Sequence, residues 1–307
     1  MHSDSASKHS ASVWPVVSLL ITATLWGVFW YPLRIAEGYG ISGLWISLII
    51  YCAALVCGVL VFWRRLGEIR QQPLLLAAIA ITNGWLNIAF ILAVIDGNVV
   101  RVVLLFYLSP LWSTLLGWLV LKEHLTGWSI ATLTVAMIGA MIMLWDPSLG
   151  FPWPQDYADW LAITSGMAFS VSNVLVRKLQ HISVRIKTIS AWFGVTLVAA
   201  MWIMLTDATA PQVDTSVWIG TTLIGCVMII VMTSTVLYGV THMPVYRSAV
   251  ILLFELVAAT VSAQWLSDEV ISGKEWLGGS LIVLAGYLSA RALMKQASTK
   301  YLSTIGQ

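Results

Sequence analysis

Ten apolar segments, each about as long as a bilayer is thick, dominate this chain of 307 residues. A helix that crosses the hydrocarbon core needs about 20 mostly apolar residues, and in lipid such a segment satisfies its backbone hydrogen bonds as a helix. The sequence therefore predicts an all-α membrane protein with ten transmembrane helices. The segments cover residues 14–33, 41–63, 73–95, 99–121, 127–146, 158–177, 187–206, 216–241, 245–266 and 272–292.

The amino-acid composition supports a membrane location. Hydrophobic residues make up 59% of the chain and charged residues 10%, whereas soluble domains average about 45–50% apolar and about 25% charged. The net charge of +2 and the scattered basic residues give no indication of a nucleic-acid partner. Cys52, Cys57 and Cys226 lie inside apolar segments, so we predict no disulfide framework and no metal site. No motif indicates a cofactor.

Lysine and arginine are unevenly distributed between the two ends of the segments, which predicts the orientation of the chain. With the N-terminus in the cytoplasm and segments alternating in direction, only Arg34, Arg101 and Lys274 lie outside. We therefore predict a multi-pass protein of the inner (plasma) membrane with cytoplasmic tails at residues 1–13 and 293–307. The basic residues on the cytoplasmic side are then Lys8, Arg64, Arg65, Arg70, Lys122, Arg177, Lys178, Arg185, Lys187, Arg247, Arg291, Lys295 and Lys300.

The chain repeats itself once, at an offset of 146 residues. Residues 101–128 align with residues 247–274 without a gap, matching Glu123 with Glu269, and a weaker match joins residues 25–34 to 168–177. Each repeat holds five helices, and because five is odd, the second copy enters the membrane from the opposite side. We predict two inverted repeats, 14–146 and 158–292, joined by a linker at 147–157. Chance similarity of apolar segments is the alternative.

Short motifs within these repeats resemble those of a known superfamily. They are Leu25-Trp26-Gly27, Ser109-Pro110-Leu111, Leu121-Lys122-Glu123-His124-Leu125 with Gly127, and Asp268-Glu269 with Gly273. On these the chain resembles, from about residue 14 to 292, the drug/metabolite transporter superfamily, in its ten-helix branch with two EamA domains. The resemblance implies a secondary transporter, often an exporter, of amino acids or other small metabolites. Tyr107-Leu108-Ser109-Pro110 resembles the Tyr-Leu-Trp-Pro of bacterial aromatic amino acid exporters, with Ser109 in place of Trp.

Two charged residues inside the apolar segments are candidates for binding the solute, because a charge in the bilayer is costly unless it is paired or hydrated. Glu255 lies near the middle of the ninth segment, where its carboxylate would take up a coupling proton or bind a solute's amine. It is otherwise a structural acid. Arg101 opens the fourth segment and would hold a solute carboxylate. Alternatively, it reaches lipid headgroups or pairs with Asp96.

Uncharged polar residues form a second set of candidates. Asn83 and Asn87 lie one turn apart in the third segment, and Asn173 lies in the sixth. They would line an aqueous cavity, or they bridge neighbouring helices, a common use of Asn in membranes. Pro110 interrupts the fourth segment and frees a backbone carbonyl near Phe106, which makes it a candidate hinge. Proline is also tolerated in such helices for packing alone.

Aromatic residues form a third set of candidates for the wall of a binding cavity. Trp26 and Trp30 lie one turn apart, and with Tyr107 and Tyr238 they would stack on a ring or a cation. Aromatic packing against lipid is the alternative. Glu123 and Glu269, in short loops at segment ends, are predicted to be structural, capping helices or pairing with local basic groups.

The sequence favours a secondary transporter, with a small-molecule solute, the lipid bilayer and possible coupling protons as its partners. A membrane-embedded enzyme acting on a lipid or small amphipathic substrate is the main alternative. It would show a nucleophile motif, clustered histidines or paired acids at a membrane face, and the sequence shows none of these. A P-loop is also missing. A non-transporting scaffold is disfavoured, because it has no need of the two-sided symmetry of an inverted repeat. A channel is also disfavoured, because a pore usually needs a ring of matched polar groups.

Overall fold

The computed structural model describes residues 13–147, 153–267 and 271–305, and these ranges are helical apart from their connections. The tail at residues 1–12, part of the linker and Glu269 lie outside the described residues. The helices are α1 (Trp14–Gly38), α2 (Gly43–Phe62), α3 (Pro73–Asp96), α4 (Val99–Phe106), α5 (Ser109–Leu121), α6 (Gly127–Leu144), α7 (Tyr157–Lys178), α8 (Val184–Leu205), α9 (Thr215–His242), α10 (Val245–Leu252), α11 (Phe254–Leu266) and α12 (Gly273–Ile305).

The all-α prediction is confirmed. Nine segments of the described residues are long and apolar enough to cross a membrane, and α12 is the tenth member of the bundle. A 3-10 helix, Trp63–Gln71, joins α2 to α3. Connections as short as the two residues between α3 and α4 require consecutive spans to run in opposite directions.

Local side chains explain where several helices begin. Asn98 caps α4, because its side-chain oxygen accepts a hydrogen bond from the backbone N–H of Arg101 at 3.2 Å. Asp156 caps α7 in the same way, accepting from Asp159 N at 2.9 Å. Such caps satisfy backbone donors that have no partner within the helix. They agree with helix starts predicted near residues 99 and 158.

The fourth and ninth spans differ from the prediction, because each consists of two helices rather than one. The fourth span breaks at Tyr107 and Leu108, just before Pro110, whose ring cannot follow a regular helical turn. The ninth span breaks at Leu253, 146 residues after Tyr107. No proline follows this second break, where Leu256 stands at the position equivalent to Pro110. Breaks at these matching positions therefore occur both with and without a following proline, so proline alone does not explain them.

Helix packing follows the predicted duplication. Helices α3, α4 and α5 pack against α7, and their repeat counterparts α9, α10 and α11 pack against α1. Helix α2 packs against α8, its counterpart in the second repeat, and α6 packs in the same way against its counterpart α12. Two halves related by a twofold axis would produce this arrangement, and the inverted repeat itself stays a prediction.

Glycine allows two helices of opposite halves to cross very closely near the centre of the bundle. A Cβ atom built on Gly27 of α1 would lie 2.6 Å from the Cβ of Ala258 and 2.7 Å from the carbonyl oxygen of Glu255. These distances are shorter than van der Waals contact, so only glycine fits here. The crossing places α1 directly beside the start of α11.

Candidate functional site

A small cavity lies where the two broken spans meet. Its volume is about 20 Å³, which is space for about one water molecule. Any larger occupant therefore requires the surrounding helices to move. The wall combines residues of α1 and α7 with both helix breaks, and it consists of Trp26, Phe106, Tyr107, Ser109, Pro110, Phe169, Ala249, Leu252, Leu253 and Glu255.

Glu255 and Tyr107 join the two helix breaks inside this cavity. The hydroxyl of Tyr107, at the break between α4 and α5, donates a hydrogen bond to the carboxyl group of Glu255. Glu255 is the second residue of α11, where the N-terminal end of the helix dipole favours a negative charge. Among the residues that line the cavity there is no Lys or Arg. The carboxyl group is therefore available to a proton or to a cationic group.

Aromatic rings form much of the cavity wall. Trp26 meets Phe169 edge-on, with ring centroids 6.1 Å apart, and Phe106 lies 5.9 Å from Phe169 and 5.5 Å from Tyr107. Phe106 and Phe169 were not among the sequence candidates, because single phenylalanines in apolar segments carry no signal of their own. Phe106 lies directly before the helix break that Pro110 predicts. Its place beside that break is the feature of the sequence from which a role in the cavity wall could have been predicted.

The three candidate asparagines lie on the helices around the cavity and not in its wall. Asn83 of α3 donates to the hydroxyl of Ser172 on α7 at 2.7 Å. Asn87 is hydrogen-bonded to the hydroxyl of Tyr51 on α2. Both therefore bridge helices in this conformation. Asn173 is buried on α7, one turn beyond Phe169 and on the same face, so of the three it lies nearest the cavity wall along its helix.

Trp30 and Tyr238 also lie outside the cavity wall. The indole N–H of Trp30 donates to the hydroxyl of Ser262 on α11 at 2.9 Å, and that hydroxyl bonds the carbonyl of Gly27 at 2.9 Å. Trp30 thus braces α1 against α11. Tyr238 packs against His242, with ring centroids 4.3 Å apart, at the end of α9. The binding roles proposed for these two residues stay predictions.

Arg101 forms a buried ion pair at the start of α4. Its Nε lies 2.7 Å from Oδ2 of Asp159 on α7, and it also donates to the carbonyl of Trp153. The sequence offered Asp96 as an alternative partner for Arg101, whereas the observed ion pair is made with Asp159 and Asp96 is exposed. The cap at Asp156 places Asp159 in the first turn of α7, a feature that sequence reasoning missed.

Glu123 has the structural contacts that its loop position predicted. Its two carboxylate oxygens accept hydrogen bonds from the backbone N–H of Val245, at 3.2 and 3.0 Å, and Oε1 lies 3.7 Å from Nε of Arg177. Glu123 therefore caps α10 and pairs with the end of α7. Burial raises the pKa of the Glu123 carboxyl group, and the guanidinium of Arg177 acts in the opposite direction.

Comparison with known proteins finds similarity to membrane transporters. Residues 13–145 match the model of the EamA-like transporter family. The uncharacterized transporter PA0485 of Pseudomonas aeruginosa is 23% identical over 193 residues, which are 60% of this chain and 61% of that protein. The uncharacterized transporter YojE of Bacillus subtilis is 27% identical over 146 residues, 44% of this chain and 48% of that protein. The chain thus covers less than two thirds of either relative.

A solved crystal structure has the same fold. It superposes with a TM-score of 0.74 at 18% sequence identity, covering 91% of this chain and 98% of the other. This likeness extends over both halves of the bundle, whereas the family model matches the first half.

Proposed function

We propose that this chain, whose residues 13–145 match the model of the EamA-like transporter family, is a secondary transporter that exports amino acids or similar small metabolites. Alternating access around the central cavity is the proposed mechanism, in the inner membrane and with both termini cytoplasmic. Membrane transport is what the family and both named relatives have in common. The single observation that carries the finer proposal is the bond between Glu255 and Tyr107.

This bond links one broken span of each half. Helix breaks in the membrane expose backbone groups and supply points at which a span can bend, and many transporters bind their solutes at such breaks. A proton or a protonated amine at Glu255 competes with the Tyr107 hydroxyl for the carboxyl oxygens. Its arrival therefore weakens the contact between the two spans and couples occupancy to their relative movement.

The size of the cavity supports movement as part of the cycle. About 20 Å³ does not hold an amino acid, so the wall must open for a solute to enter. Trp26 and Phe169 then become the faces against which the apolar part of a solute packs, while Glu255 binds its polar part.

The test is transport in proteoliposomes made from the purified chain, with a panel of amino acids and an imposed proton gradient. We expect the parent protein to move at least one solute, and we expect Glu255→Gln to abolish the response to the gradient. Glu37→Gln is the matched control, because Glu37 is an exposed acid at the end of α1 and should leave transport unchanged.

Equal gradient-driven transport by the parent and by Glu255→Gln would overturn the role of Glu255. Chemical conversion of a solute without net movement would instead favour a membrane-embedded enzyme.

A further inference from the structure

The cavity is closed more tightly toward one end of the bundle than toward the other. We call the end that holds Glu123 and Val245 the basic end, after the lysines and arginines that collect there. Between the cavity and the basic end, α10 packs against α5 and α6 of the other half. The counterpart contacts at the opposite end would join α4 to α11 and α12, and within the described helices these pairs make no comparable contact. The contacts between the halves are therefore asymmetric.

Glu123 lies at the outer rim of the closed side. Lys122 ends α5 in a left-handed conformation, with φ of 54°, and this turn directs the Glu123 carboxylate back toward the helix. A Cβ on Gly117 would lie 3.1 Å from Oε2 of Glu123 and 3.7 Å from the Cβ of Val245. Glycine at position 117 thus leaves the space in which the carboxylate reaches the start of α10.

The groups that Glu123 contacts across this rim all belong to the second half, and they are anchored to one another. A guanidinium nitrogen of Arg177 donates to the carbonyl of Thr241 at 2.6 Å. Lys187, with 0% of its surface exposed, donates to the Thr241 hydroxyl at 2.6 Å and to the carbonyl of Val176 at 3.2 Å. These bonds tie the ends of α7, α8 and α9 together. The carboxylate of Glu123, which belongs to the first half, therefore contacts a surface of the second half that these bonds hold rigid.

We propose that Glu123 is a latch that keeps the cavity closed toward the basic end, and that its release from Val245 and Arg177 opens that side. The inference rests on the proposed alternating-access function and adds the group that controls one of the two openings. Charge-assisted bonds of this kind are strong while they are held away from water, and they exchange readily for water once the rim is hydrated. The latch is thus suited to two stable positions.

The experiment measures access to the cavity directly. In a chain whose three cysteines are replaced by alanine, Leu252→Cys in the cavity wall is labelled from the basic end with a charged, membrane-impermeant thiol reagent. We expect Glu123→Ala to raise the labelling rate about tenfold, because the open population grows as the latch is lost. Glu123→Gln keeps an oxygen that accepts from Val245 N but loses the charge, so its increase should be smaller.

Glu68→Ala is the matched control. Glu68 is another acid near the basic end, and it accepts from the backbone N–H of Ser183 at 3.3 Å, but its partners belong neither to α5 nor to α10. Its loss should leave labelling at position 252 unchanged. A cysteine at Ser216, exposed at the start of α9, reports the opposite end and should react equally in all variants when the fold is intact.

Unchanged labelling in both Glu123 variants, or an equal rise with Glu68→Ala, would overturn the latch. Glu123→Gln, which preserves side-chain size, decides the question alone if the alanine variant does not fold. The assay needs no solute. A chain that transports nothing but shows the labelling change would contradict the proposed function and leave the latch standing, whereas active transport with unchanged labelling would contradict the latch only.

Discussion

At the residue scale, Glu255 and Tyr107 were each recognisable from sequence, but their bond was not. A lone acid and a tyrosine inside apolar segments are conspicuous because of their cost in lipid. They lie 148 residues apart, and no periodicity within one helix relates them. The two side chains are close because both broken spans meet at the centre of the bundle, and this meeting is visible only in the structure.

The bond between these residues gives a first prediction. Tyr107→Phe removes the hydroxyl and leaves the ring, so transport should slow about tenfold, the equivalent of one hydrogen bond to a charged group at the lower end of its usual strength. Initial rates in proteoliposomes measure the effect. Tyr39→Phe is the control, because Tyr39 is exposed just after α1 and lies outside the cavity wall, and a slowing as large as that of Tyr107→Phe would count against a specific role for Tyr107.

The pair formed by Arg101 and Asp159 gives a second prediction. Asp159→Asn leaves the buried guanidinium of Arg101 without its charged partner, which costs about 3–5 kcal/mol when a pair is well buried. The midpoint of thermal unfolding in detergent should fall accordingly. Asp96→Asn should leave the midpoint nearly unchanged, since Asp96 is exposed. Equal effects of the two substitutions would mean that the ion pair contributes little to stability.

At the element scale, hydrophobicity and turn residues predicted the first nine spans to within about five residues, but α12 continues to Ile305, through most of the predicted C-terminal tail. They also did not predict how two of the spans are built. The break near Pro110 was visible as a proline in an apolar segment. The break at Leu253 has no local signal, because Leu256 is compatible with a regular helix. The position of the second break can be inferred from the repeat offset, because Leu253 lies 146 residues after Tyr107.

Glycine at a helix crossing gives a third prediction. A Cβ on Gly194 of α8 would overlap the carbonyl group of Ala80 on α3, so Gly194→Ala forces the helices apart. Overpacking of this kind typically costs about 1–3 kcal/mol, and the thermal midpoint in detergent should fall. Gly220→Ala is the matched control, because a Cβ on Gly220 meets nothing within 4 Å. A midpoint that falls equally in both variants would contradict the close crossing as the cause.

At the scale of the whole molecule, the duplicated pattern of helix contacts agrees with the repeat seen in the sequence. If a twofold axis relates the two repeats, helices that lie next to the axis pack against their own counterparts. The pairs of α2 with α8 and of α6 with α12 are of this kind. The closure of the cavity could not be predicted, because an inverted repeat permits two opposite closures and sequence similarity does not choose between them. The choice depends on individual contacts such as that of Glu123 with Val245.

The orientation in the membrane gives a fourth prediction, based on the distribution of lysine and arginine. In a cysteine-free chain, Gly67→Cys in the 3-10 helix should react with an impermeant thiol reagent only after the cytoplasmic face is opened to it. Gln212→Cys, in the exposed connection before α9, should react in intact cells. Reaction of both positions from the same side would contradict the alternating arrangement of spans.

The placement of Glu255 in only one half has an electrical consequence. Its repeat counterpart is Ser109, so among the described residues that line the cavity Glu255 is the one carboxylic acid, about halfway along the ninth span. An elementary charge that crosses a membrane at 100 mV changes its energy by about 2.3 kcal/mol, and a proton that reaches mid-depth experiences about half of that. In the proposed orientation, with both termini cytoplasmic, a membrane voltage that is negative inside would favour protonation of Glu255 from the outside and proton loss to the cytoplasm.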